Sequence, residues 1–300
     1  MPSLFAHIRA TARLRHALAQ KKTEWRAVVE ALESGAAVDA TNDDGITALN
    51  QAAWSGRLDV VIMALDRGAK VDTQAHLGAT PLIAAASEGR LDVTEELLRR
   101  GANPNLPDAF GATPLMFATS NGHADVAARL LAFGATVDAR RQNDQTALMR
   151  AAAEGRLAEV DLLLDHGAEL DAHDAQGRTV LMYAAEHGQV AVVHRLLERG
   201  ADLGVRDQIG ETILDRMARR GGFIRRVRGG APFADWSVPA LLDAALAGLN
   251  TTQRAGIMAT LPPSWCAQWL PKASVAKAAV SVTAWDRPTV TNIPPARHAP

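Results

Sequence analysis

Six glycines, Gly35, Gly68, Gly101, Gly134, Gly167 and Gly200, stand 33 residues apart every time. A spacing held that long marks a chain that grows by stacking one small unit rather than by enlarging a single core. The period therefore constrains the fold more than the length of 300 residues does. Two further glycine series keep the register. Gly56, Gly89, Gly122, Gly155, Gly188 and Gly221 form one; Gly45, Gly78, Gly111, Gly177 and Gly210 form the other, broken by Asp144. Thr47, Thr80, Thr113, Thr146, Thr179 and Thr212 also keep it, each followed two residues later by a leucine, Leu49 to Leu214.

Each recurring residue has a local physical reading. In Thr80-Pro81-Leu82 and Thr113-Pro114-Leu115 the threonine is an N-cap acceptor, and proline fills the first helical position, where its missing N–H costs nothing. That starts a first, inner helix. Alanine pairs such as Ala52-Ala53 and Ala151-Ala152 let neighbouring helices approach closely, and Gly56 and its counterparts end the helix by allowing positive φ. An outer helix follows, as in residues 91–98, and ends at the next ruler glycine. The polar stretch up to Gly45, Gly78 or Gly111 reads as an extended finger between units.

The pattern over about residues 23–220 resembles the ankyrin-repeat family, with its period of 33 and its T-P-L-H-x-A helix start. The resemblance implies an all-α solenoid of helix-turn-helix units with finger loops. The chain departs from that signature where a histidine should follow T-P-L: Asn50, Ile83, Met116, Met149, Met182 and Asp215 stand there. The methionines read as a stacked, gap-filling core rather than a soft-metal site. Asp144 and Arg141 replace a glycine and an acid in one finger, and Gly204 replaces an Asn/Asp at a turn, so distortion is expected in those fingers.

The expected organisation is capping helices over residues 1–34, repeats over 35–220, and a partly helical C-terminal extension over 221–300 with a mobile tail. The acid-free start carries Arg9, Arg13, Arg15, Lys21 and Lys22 and could be taken for a transit peptide. Leu4, Ile8, Leu14 and Leu18 recur at roughly helical intervals and suit an amphipathic capping helix better.

A net charge of −1 conceals a strong segregation. Residues 23–204 carry 15 basic and 27 acidic side chains, net −12, whereas both flanks are basic. A single cysteine, Cys266, precludes an intramolecular disulfide framework and fits the cytoplasm. No stretch approaches the length of a membrane span. P-loop, GxGxxG, HExxH, GxSxG and paired CxxC motifs are missing, and no cofactor, metal or catalytic group is expected.

What remains is a binding surface. The resemblance implies that finger tips and the exposed side of the inner helices meet a protein partner. The register puts Asp43, Asp44, His76, Leu77, Ala109, Phe110, Gln142, Asn143, Gln176 and Ile209 near the tips. It puts Trp54, Phe117, Arg150, Tyr183 and His187 on the inner helices. Trp54, Leu77, Phe110, Phe117, Arg150, Tyr183 and His187 are the candidate contacts, Phe117 and Tyr183 having helix packing as their plain alternative. The run from Arg216 to Arg228, with Arg219, Arg220, Arg225, Arg226 and Arg228, is a candidate anion site. Its alternative is docking on the acidic stack, and the −12 field weighs against nucleic acid. A non-catalytic interaction module is the leading expectation, followed by a regulatory or inhibitory subunit of a partner enzyme.

Overall fold

The computed structural model describes residues 2–20 and 23–213. The expectations for the Arg216–Arg228 run, Cys266 and the C-terminal helices and tail lie outside the described residues. The described residues form α-helices, one turn of 3-10 helix and no strand; an isolated bridge joins His173 to Thr179.

Helices α1 (Pro2–Ala19) and α2 (Trp25–Glu33) come first and pack on each other. Five pairs follow: α3 (Ala48–Ser55) with α4 (Leu58–Asp66), α5 (Pro81–Ser87) with α6 (Leu91–Arg99), α7 (Pro114–Asn121) with α8 (Ala124–Ala132), α9 (Ala147–Ala153) with α10 (Leu157–Asp165), and α11 (Val180–His187) with α12 (Val190–Glu198). The inner helices α3, α5, α7, α9 and α11 pack in one row and the outer helices α4 to α12 in a second. This is the all-helical solenoid that the period predicts.

The recurring residues fold as their chemistry dictates. The hydroxyls of Thr47, Thr80, Thr113, Thr146 and Thr179 each accept the N–H three residues on, capping α3, α5, α7, α9 and α11. Each ruler glycine follows the end of an outer helix with φ between 83° and 94°. There Gly167 N donates to Leu164 O at 3.0 Å and Ala168 N to Leu163 O at 3.0 Å, the Schellman arrangement that satisfies the last carbonyls.

The core lies between the rows. Leu49, Leu82, Leu115, Leu148 and Leu181 of the inner helices are buried, as are Leu97, Leu130, Leu163 and Leu196 of the outer ones. Met116, Met149 and Met182 are buried too, so they fill space as expected. Asn50 keeps a polar role: its Oδ1 accepts from Thr47, and its Nδ2 donates to Thr73 O at 3.3 Å. In α1 the buried stripe is Ala10, Leu14, Ala17 and Leu18, whereas Ile8 is 53% exposed, which corrects its placement on the packed face.

Two polar series tie each unit to the next. Asp39, Asp72, Asn105, Asp138 and Asp171 accept the N–H groups of Lys70, Asn103, Thr136, Glu169 and Asp202, each 31 residues on. Gly204 occupies the next place in that series and has no side chain to extend it. From the other direction, Arg90, His123, Arg156 and Gln189 reach back to the carbonyls of Trp54, Ser87, Ser120 and Ala153 at the ends of the preceding inner helices.

Candidate protein-binding surface

The fingers form first. Asn42, Asp108, Asp174 and Asp207 open tight turns by accepting two of their own backbone N–H groups; Asp108 Oδ1 takes those of Phe110 (2.9 Å) and Ala112 (2.8 Å). Successive fingers then join edge to edge. The N–H groups of His76, Ala109, Gln142, Ala175 and Gln208 donate to the carbonyls of Asp44, Leu77, Phe110, Asn143 and Gln176, at 2.8–3.2 Å. This ladder holds the tips in a fixed row.

The fourth finger is regular, contrary to the distortion expected of it. Asp144 takes the left-handed conformation, φ 58°, that glycine holds elsewhere, and its N–H reaches Arg141 O at 2.8 Å. Aspartate tolerates that region better than most residues, which is why the turn survives. The finger after Gly204 is regular too, with Gly210 N bonded to Asp207 O at 2.9 Å. The second tip is set apart by Leu77, which itself has φ 59°; Ala75 there, like Arg141 in the fourth finger, supplies no side-chain acceptor.

Leu77 (52% exposed) and Phe110 (44%) sit on adjacent tips linked through the Ala109–Leu77 hydrogen bond. Ile209, placed at a tip by register alone, is 68% exposed. On the inner row Trp54 is 52% exposed at the end of α3, and Arg90 anchors its carbonyl. Phe117 is half-buried on α7, two helices along, so α5 separates it from Trp54. His187 is exposed at the end of α11; its Nδ1 bonds Tyr183 O at 2.9 Å and its ring stacks on Tyr183.

Tyr183 corrects the expectation of exposure: it is 5% exposed. Its hydroxyl donates to Asp174 Oδ2 at 2.7 Å and receives Gln145, while Arg178 lies over its ring at 4.5 Å and bridges to Asp174 at 2.7 Å. Burial, reinforced by Asp174, pushes the phenol up to about 12. Burial alone would raise Asp174, but the hydrogen bonds from Tyr183 and Arg178 outweigh it and hold the carboxyl below its ordinary value. Arg150, half-buried on α9, donates through Nε to Ser120 Oγ at 2.8 Å.

Three further large apolar side chains are exposed, Phe5 on α1, Phe133 at the end of α8 and Val190 at the start of α12. None stands at a repeat position that marks a finger tip or an inner helix. Among the described residues no group of His, Cys, Asp or Glu is placed to hold a metal, and no helix is long and apolar enough to cross a membrane.

The family model described as ankyrin repeats (3 copies) matches residues 14–108, 64–141, 82–174 and 115–207. The chain belongs to the ankyrin-repeat family. Ankyrin repeats are in general protein–protein interaction modules, typically non-catalytic, and a protein partner is the class of ligand they imply. A search of curated proteins finds no match.

Proposed function

We infer that this ankyrin-repeat protein binds a protein partner across its finger tips and inner-helix face, with Leu77, Phe110 and Trp54 as the anchors. The observation that carries the reading is the pair of large apolar side chains on adjacent, hydrogen-bonded tips, Leu77 and Phe110. Leu77 contributes nothing to a core there and occupies a backbone region that costs about 1–2 kcal/mol for a non-glycine residue. A rigid row that pre-orders such groups saves the entropy of ordering them on binding. Phe117, His187 and Arg150 extend the surface, and Tyr183 supports His187 from beneath. The −12 charge of residues 23–204 favours a partner with a basic surface and speeds its approach.

In this reading α1 and α2 cap the stack, residues 35–220 supply the binding surface, and the module does no chemistry of its own. One cysteine in the whole chain suits a cytoplasmic setting. The test is capture of a partner by the full chain and by two double variants, Leu77→Ser/Phe110→Ser and Phe5→Ser/Phe133→Ser, all with matched circular dichroism. The tip variant should lose the captured protein and the control variant keep it; equal capture by both removes this surface. Assaying the captured partner with and without the chain then separates a regulatory subunit from a scaffold.

A further inference from the structure

One spot on the inner-helix face concentrates unneutralised positive charge. The first residue of each finger turn and a residue nine positions later on the inner helix form a recurring pair: Asn42 with Gln51, Asp108 with Phe117, Asp174 with Tyr183. In the last of these the two side chains meet, Tyr183 donating to Asp174 at 2.7 Å. The fourth unit puts Arg141 and Arg150 at those two positions.

The rest of the environment leaves both guanidiniums underused. Arg150 spends its Nε on Ser120 Oγ, which pins the side chain toward α7. Arg141 Nε is shielded from solvent and has no acceptor among the described residues. The acids that favour the charge on Arg150, Glu154 and Asp108, act on it through space without a hydrogen bond. Asp108 Oδ1 is already held by the backbone of its own turn. Burial first, and the charge of Arg141 second, push the Arg150 pKa down, yet arginine does not deprotonate in proteins, so the repulsion stands. Arg140, next in sequence, is committed elsewhere, to His173 O at 2.8 Å and to Glu169.

We propose that Arg141 and Arg150 form a carboxylate-binding site that takes an aspartate or glutamate side chain of the protein seated on this face. The assignment rests on the reading of the face as a protein-binding surface. Two planar guanidiniums match a carboxylate's paired oxygens through their terminal N–H groups, and an anion held there cancels like-charge repulsion. A monoanion fits better than a phosphate dianion, because Glu154 and Asp108 already supply negative charge nearby and the surrounding repeats are net −12. That long-range field is screened beyond about 8 Å at physiological salt, so a single carboxylate in contact prevails over it. The partner is then a protein with a basic surface and one acidic anchor.

The test uses the full chain with acetate as probe, reading the arginine Nε–H signals by NMR at constant ionic strength. Acetate should shift the Arg141 and Arg150 signals saturably, and Arg141→Gln should abolish the shift at Arg150. Arg141→Gln should also raise Tm by about 1–2 °C without acetate, since the through-space repulsion of Arg150 is relieved and no hydrogen bond of the Arg141 side chain is lost. No saturable shift, or an Arg150 shift that persists in Arg141→Gln, overturns the site. Inorganic phosphate moving the same signals at lower concentration than acetate overturns the choice of carboxylate. Because the titration needs no partner, its failure beside a tip variant that still loses the partner would remove the arginine site alone.

Discussion

Alanine at two glycines of equal backbone conformation should have very different costs. Gly78 has φ +79° and Gly167 has φ +84°, so a Cβ at either carries the left-handed penalty of about 1–2 kcal/mol. Alanine also has fewer unfolded conformations to lose, which returns about 0.4–1 kcal/mol at both. At Gly167 nothing else is involved, because no atom lies within 4 Å of the added carbon, and the net cost should be about 1 kcal/mol. At Gly78 the carbon falls 2.8 Å from Ala109 N and 3.2 Å from the Cα and carbonyl carbon of Asp108. Those are backbone atoms of the next finger and cannot rotate aside. The fingers must separate, adding about 1–3 kcal/mol of overpacking and about 0.5–1.5 kcal/mol for the Ala109–Leu77 hydrogen bond.

Gly78→Ala should therefore cost about 3–5 kcal/mol against about 1 kcal/mol for Gly167→Ala. Urea unfolding of the full chain followed by far-ultraviolet circular dichroism measures both, with unchanged slopes. The gap also has a functional face. Displacing the third finger moves Phe110 relative to Leu77, so partner capture should weaken in Gly78→Ala at urea-free equilibrium and persist in Gly167→Ala. Equal costs within about 0.5 kcal/mol would refute the idea that close approach of stacked fingers, rather than backbone conformation, is what the finger glycines supply.

Tyr183 is the only tyrosine in the chain, so tyrosinate absorbance reports it alone; the midpoint should lie near 12 rather than 10, or coincide with alkaline unfolding. Since folding raises this pKa, its contribution of about 2–3 kcal/mol is complete below pH 10 and is lost as pH rises through the folded value. Asp174 has the opposite sign: its depressed pKa gives stability that is present above pH 3.8 and disappears as pH falls through the folded value. Asp174→Ala should cost about 2–4 kcal/mol at neutral pH, because the Tyr183 hydroxyl and the turn N–H groups lose their acceptor while Arg178 keeps only one carboxylate, Glu186, at 3.8 Å, and should flatten the acid limb of a stability–pH curve. Asp144→Gly should leave stability unchanged or raise it by up to about 1 kcal/mol in urea, the strained φ of 58° being relieved.

The helix starts and stops were legible because threonine, proline and glycine act within one turn of chain, and the finding of threonine caps and Schellman ends follows from those residues alone. The Met116, Met149 and Met182 stripe was legible for the same reason, its period placing it on the core side of every inner helix. Tyr183 was not. Its burial depends on Asp174 being free to accept its hydroxyl and on Arg178 covering the ring, three side chains from a turn and a helix that register alone does not bring into contact. Ile8 was misplaced because an alanine stripe, Ala10 and Ala17 with Leu14 and Leu18, packs α1 more closely than a leucine-isoleucine stripe would.

The sequence does carry a rule for finding recognition residues, and it works by subtraction. Positions whose residue type hardly changes from unit to unit are the ones that join units: the threonine caps, the buried leucines, and the Asp39 series that bonds the next unit's backbone. A position that served only stacking is under a similar demand in every unit and holds one of the few residues able to meet it, as Arg90, His123, Arg156 and Gln189 all reach back to the preceding inner helix. The tip series runs Asp44, Leu77, Phe110, Asn143, Gln176, Ile209, and the inner-helix series Gln51, Ala84, Phe117, Arg150, Tyr183. No single packing requirement can select aspartate, phenylalanine and isoleucine in turn, so these places are left to whatever lies outside the stack. Within such a series an individual member can still be drawn inward, as Tyr183 is by Asp174. The finger residue nine positions earlier decides which: aspartate accepts the tyrosine and closes the site, whereas Arg141 repels Arg150 and leaves its charge for a ligand.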